Sequence, residues 1–153
     1  MTKRLMSGVV LVHTKLGKLY RVKGIMDQDL YYKILVNQFG PRIKELFPNG
    51  DYIFQQDNDP KHTARLNKRY LESELIPVMS WPAQSPDLNL IENLWSILYK
   101  KLQDRRATNE DDLFQILLDG WNALPNHLLK RLECSMPSRC AEVIRNKGWP
   151  IKY

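Results

Sequence analysis

The stretch Trp81 to Asn89, WPAQSPDLN, constrains the fold most, because Pro82 and Pro86 stop regular structure there and the hydrophobic pattern differs on its two sides. Before it, β-branched and alternating runs are interleaved with helical spacing. After it, only helical spacing is found. A chain with this order of patterns points to an α/β architecture whose C-terminal third is helical.

In the front half, Val9 to Thr14 reads as a strand, Lys15 to Lys18 with Gly17 as a turn, and Leu19 to Lys23 as the outer strand of a hairpin. Leu30, Ile34 and Leu35 give helical spacing behind Asp27 and Asp29, and Gly40-Pro41 is expected to interrupt that helix. A further short helix with Ile43 and Leu46 should end at Pro48-Asn49-Gly50. Tyr52 to Gln56 reads as a strand that delivers Asp57, residues 61 to 73 as a helix, and Ile76 to Trp81 as a strand that Pro77 confines to an edge.

Beyond the loop, Ile91, Leu94, Trp95, Leu98 and Leu102 form one apolar helix face. Thr108 to Asp111 carries the T-x-x-D capping pattern ahead of Leu113, Phe114, Leu117, Trp121 and Leu124. Two shorter helices are expected to follow, one after Pro125 and one after Pro137, the last ending near Gly148. A chain of 153 residues with 43% hydrophobic and 26% charged residues can bury a core, and residues 1–153 are read as one domain.

No window approaches the roughly 18 apolar residues of a membrane span, so no membrane partner is expected. Cys134 and Cys140 have neither a disulfide-framework nor a zinc spacing and read as incidental thiols. With 23 Lys and Arg against 17 Asp and Glu, the net charge is +6 and the isoelectric point near 9.3, which favours a polyanionic partner such as DNA.

Two carboxylates carry the candidate chemistry. Asp57, in FQQDNDPKHTA, stands at a strand end before a helix, where open α/β sheets place ligands, although it can equally serve only to close the Asn58-Asp59-Pro60 turn. Glu92 stands three residues after Asn89, the spacing of a capping box in which the glutamate merely reaches back to the N-cap N–H. If both acids reach the same end of a sheet, they could share Mg²⁺ ions roughly 4 Å apart that activate water at a phosphodiester. Lys61, Arg65, Lys68 and Arg69 form a basic stripe suited to a phosphate backbone, with a solvated face as the plainer alternative. His62 is read as a local hydrogen-bonding group or a phosphate contact rather than a catalytic base. The C-terminal cations Lys100, Lys101, Arg105, Arg106, Lys130, Arg131, Arg145 and Lys147 could meet DNA or a second subunit, a solvated face again being the plainer reading.

FQQDNDPKHTA and SWPAQSPDLNLIENLW, with 34 residues between Asp57 and Glu92, closely resemble the catalytic domain of Tc/mariner-type DNA transposases. The likeness extends back through KLYRVKGIMDQDLYYKIL and forward to MPSRCAEVIRNKGWPIKY. It implies a ribonuclease-H-like mixed sheet flanked by helices, Mg²⁺ or Mn²⁺ dependence, nuclear action, and DNA cleavage and strand transfer in cut-and-paste transposition. Within the implied Asp, Asp, Glu metal-binding triad, Asp57 matches the second member and Glu92 the third. The first Asp of such domains lies on a central strand ahead of the hairpin, so that strand, its Asp and the DNA-reading N-terminal region are expected to be missing and catalysis impaired. Leu90 replaces the Pro common at that position. The expected partners are transposon and target DNA and, among proteins, a second copy of the chain. The alternative is a non-enzymatic DNA-binding or partner-binding module of transposase descent.

Overall fold

In the computed structural model, which describes residues 7–8, 11–12, 15–17, 19–82 and 85–151, the N-terminal segment folds back on itself as two short antiparallel ladders. β1 (Ser7–Gly8) pairs with β4 (Tyr20–Arg21), and β2 (Leu11–Val12) pairs with β3 (Lys15–Leu16). The expected hairpin is present, but Lys15 and Leu16 are paired rather than turning. Val9, Val10, His13, Thr14 and Lys18 lie outside the described residues. Register shifts by one residue between the ladders, Ser7 facing Arg21 whereas Leu11 faces Leu16, so the returning arm holds one residue more and the ladder cannot run through.

The chain clusters into two compact units, Met1–Met6 with Val22–Gln84, and Ser7–Arg21 with Ser85–Tyr153. In the first, α1 (Gln28–Ile34) starts at Asp27, whose carboxylate accepts the Leu30 N–H at 2.8 Å. The expected interruption at Gly40-Pro41 does not occur. A π-helical turn, Leu35–Phe39, leads directly into α2 (Gly40–Leu46), with the Gly40 N–H donating to the Leu35 carbonyl. The wider turn carries the helix past a proline that would clash in a regular one. A Cβ at position 40 would come within 2.5 Å of the Tyr70 hydroxyl, so any larger residue there would require Tyr70 to shift.

The helix expected over 61 to 73 is broken into α3 (Pro60–Thr63) and α4 (Arg65–Ser73), with Ala64 extended at ψ 145°. Asn67 supplies the reason. Its Nδ2 donates to the Lys61 carbonyl at 2.7 Å, the acceptor that the Arg65 N–H would take in an unbroken helix, and to the Gln28 carbonyl at 3.2 Å. Leu35, Phe39, Ile43, Leu71 and Ile76 form the apolar interior of this unit, and the Phe39 and Phe54 rings pack 4.4 Å apart.

The mixed sheet expected from the sequence is reduced, among the described residues, to the two-residue ladders and one parallel bridge, Phe54 to Val78. Phe54 donates to the Pro77 carbonyl at 2.7 Å and accepts from Met79 at 2.8 Å. The next rung toward the start of these segments needs a residue-77 N–H, which proline lacks, so the ladder ends there.

In the second unit, α5 (Leu90–Leu102) begins at Asn89 behind a 3-10 turn, Pro86–Leu88. Leu94 and Leu98 are fully buried against Trp121, Leu124, Leu128, Leu129 and Leu132, as the apolar face predicts. α6 (Glu110–Asn122) crosses α5 closely at Gly120, where a Cβ would meet Leu98 Cδ1 at 2.7 Å. Its cap is Asn109 rather than Thr108: the Asn109 carbonyl oxygen of the side chain accepts the Asp112 N–H at 2.8 Å, and Asp112 accepts the Thr108 N–H at 2.8 Å, one residue beyond the expected box. Trp121 Nε1 donates to the Gly17 carbonyl at 2.9 Å, which fastens the hairpin to α6.

Instead of two helices, α7 (Asn126–Arg145) runs through Pro137. Pro137 is exposed, Leu128, Leu129 and Leu132 anchor the first half of the helix, and Arg139 donates to the Asp87 carbonyl at 3.0 Å. The buried Asp87 carboxylate accepts the Ile151 N–H at 3.1 Å. No helix of the described residues is long and apolar enough to cross a membrane.

Candidate functional site

Asp57 lies between the Phe54 bridge and α3, with its carboxylate 57% exposed. Its Oδ1 is doubly occupied, accepting from His62 Nδ1 at 2.5 Å and from the Asp59 N–H at 3.1 Å. The turn-closing bond expected of a plain loop aspartate is therefore present, yet Oδ2 has no partner among the described residues. His62 is only 17% exposed, and the Tyr31 ring covers it at a centroid distance of 4.2 Å. The Tyr31 hydroxyl donates to Gln56 Oε1 at 2.8 Å. Burial, and then the negative charge of Asp57, push the Tyr31 hydroxyl far above the ordinary tyrosine range, so it remains a donor.

Asp59 caps α3, accepting the Lys61 N–H at 3.0 Å, and also pairs with Lys61 Nζ. That bond holds the Asp59 carboxyl below its ordinary value. The break at Ala64 separates Lys61 and His62 from Arg65, Lys68 and Arg69, so the basic residues do not form one continuous stripe. Lys61 is turned to Asp59, whereas Arg65, Lys68 and Arg69 are exposed on α4.

In the second unit, Glu92 occupies the first turn of α5 and is exposed. The Asn89 side chain caps this helix weakly, accepting the Ile91 N–H at 3.3 Å. The reciprocal half of a capping box is not formed, because the Asn89 N–H donates to the Pro86 carbonyl at 3.0 Å. Among the described residues, nothing bonds the Glu92 carboxylate. An acid that the cap could have absorbed is left open.

Among the described residues, no three His, Cys, Asp or Glu side chains cluster as a metal cage. In the first unit the open Asp57 Oδ2, and in the second the Glu92 carboxylate, are each hard oxygen donors of the kind Mg²⁺ and Mn²⁺ take. Tyr31, Gln56 and Asn67 escaped the sequence reading. Tyr31 meets Gln56 across 25 residues of chain, and no local pattern marks that meeting.

Residues 30–114 match the family model of the DDE superfamily endonucleases. The chain belongs to this family. It is similar to the Tcb2 transposase of Caenorhabditis briggsae and the Tc1 transposase of Caenorhabditis elegans, each 39% identical over 140 residues, 92% of this chain and 51% of the relative. The resemblance to Tc/mariner-type DDE catalytic domains thus holds, and the chain spans about half the length of the curated relatives it matches. The fold is that of the Mos1 transposase catalytic domain, solved with raltegravir and Mg, at a TM-score of 0.87 and 21% identity over 97% of this chain and 77% of that one. It also matches Mos1 in a paired-end complex with the left transposon end, at a TM-score of 0.85 and 22% identity over 94% of this chain and 44% of that one.

Proposed function

We propose that residues 1–153 are a catalytic-domain segment of a DDE transposase acting in the nucleus on transposon and target DNA, in DNA cleavage and strand transfer during cut-and-paste transposition. Asp57 and Glu92 are its metal-binding carboxylates, with Mg²⁺ or Mn²⁺ as the ion. The single observation that carries this reading is the open Glu92 carboxylate, present at the spacing of the family motif and unused by the helix cap beneath it. A cation bound there would supply Lewis acidity toward a phosphodiester and lower the pKa of an attacking water. Arg65, Lys68 and Arg69 hold the DNA backbone, with Lys61 and His62 beside it.

Two carboxylates alone hold Mg²⁺ weakly, because the ion demands near-octahedral oxygen coordination. The test is calorimetric titration with Mn²⁺ together with salt-dependent DNA binding, comparing wild type with Asp57→Asn and Glu92→Gln. Weak Mn²⁺ binding that both variants abolish, and DNA binding that Mn²⁺ strengthens, is the expected result. DNA binding that ignores the metal and both substitutions while falling steeply with salt would instead mean a binding module without a metal site.

A further inference from the structure

We propose that His62 is a positioning residue that fixes the Asp57 carboxylate so that only Oδ2 is presented to the metal. The inference deepens the reading of Asp57 as a metal ligand and rests on it. An aspartate on an exposed loop has two free side-chain torsions, and binding an ion through it must first freeze them. Here the freezing is done by the protein. Oδ1 is claimed by His62 Nδ1 at 2.5 Å and by the Asp59 N–H at 3.1 Å, which turns the open lone pairs of Oδ2 outward.

His62 can act this way because it is itself held. The Tyr31 ring lies over the imidazole at 4.2 Å and 36°, and Tyr31 is pinned in turn by its bond to Gln56, the residue next to Asp57. α3, which carries His62, is closed at its start by Asp59 and at the Lys61 carbonyl by the buried Asn67 amide. Ligand carboxylates are commonly oriented by such outer bonds, and losing one weakens metal affinity by about 10- to 100-fold. With Oδ1 occupied, Asp57 is a one-oxygen ligand.

The test is Mn²⁺ binding to the full chain without DNA, read by calorimetry and by the electron paramagnetic resonance of free Mn²⁺, with thermal melts and far-UV circular dichroism alongside. His62→Ala should weaken the Asp57-dependent site by about tenfold or more. His62→Asn, whose amide nitrogen can stand where Nδ1 stands, should recover most of the affinity; a residue that only supported the fold would show no such rescue of metal binding. Tyr31→Leu, which removes the covering ring, should fall between wild type and His62→Ala. Wild-type affinity in a folded His62→Ala, while Asp57→Asn loses binding, would overturn the positioning role and leave Asp57 a ligand. Unchanged binding in Asp57→Asn would overturn the ligand reading and this inference with it. Should His62→Ala not fold, His62→Asn decides: near-wild-type affinity supports the role and loss of affinity refutes it.

Discussion

Asp57 is held by polar bonds at its own oxygen, from an imidazole and a backbone N–H, on a loop otherwise open to water. The Glu92 carboxylate has no hydrogen-bond or ion-pair partner among the described residues, and its position is set from behind, by a helix whose opposite face is buried through Leu94 and Leu98. The difference teaches that two acids of one proposed role can be placed by different forces. Polar positioning is directional and depends on single atoms. Apolar positioning is collective and has no one contact that decides it. The first should fail to small polar substitutions that hardly touch stability, and the second to core or cap damage that lowers stability along with it.

The largest effect should come from Trp121→Ala, which empties the best-buried aromatic position of the second unit and strips the Gly17 carbonyl of its donor. A loss of about 3–5 kcal/mol is expected, read from denaturant midpoints. A loss below about 1 kcal/mol would show that the core does not set α5, and the contrast would break there. Asn67→Ala should lose about 2 kcal/mol, since it removes a buried amide and leaves the Lys61 and Gln28 carbonyls without that donor. Hydrogen exchange should then quicken at the His62 and Thr63 amides, which bond the Asp59 carbonyl, more than in α2. Uniform quickening would mean that Asn67 supports the whole unit rather than α3. Asn89→Ala should cost about 1 kcal/mol or less, because the 3.3 Å cap it removes is long, and Glu92 should stay exposed. A much larger loss would mean that the cap, not the buried face, holds the start of α5.

The contrast also explains what could be read from the sequence. Features fixed by neighbours a few residues away were legible: the start of α1 behind Asp27 and the apolar face of α5. Features fixed by distant partners were not. Gly40-Pro41 looks like a helix end until the Tyr70 hydroxyl is found where a side chain would have been. Residues 61 to 73 look like one helix until Asn67 takes the carbonyl that would have continued it. Pro137 looks like a boundary until Arg139 and the buried leucines hold both halves in line. For the candidate site, the motif spacing singled out Asp57 and Glu92, but the Tyr31 and Gln56 contacts around His62 arise only in the fold.

The bond from Trp121 to Gly17 spans 104 residues. Paired strands two residues long are too short to persist unaided in water, so the ribbon depends on a latch that comes much later in the chain. During synthesis, which runs from the N-terminus, this ribbon leaves the ribosome before α6 and is secured only once α6 has followed it out.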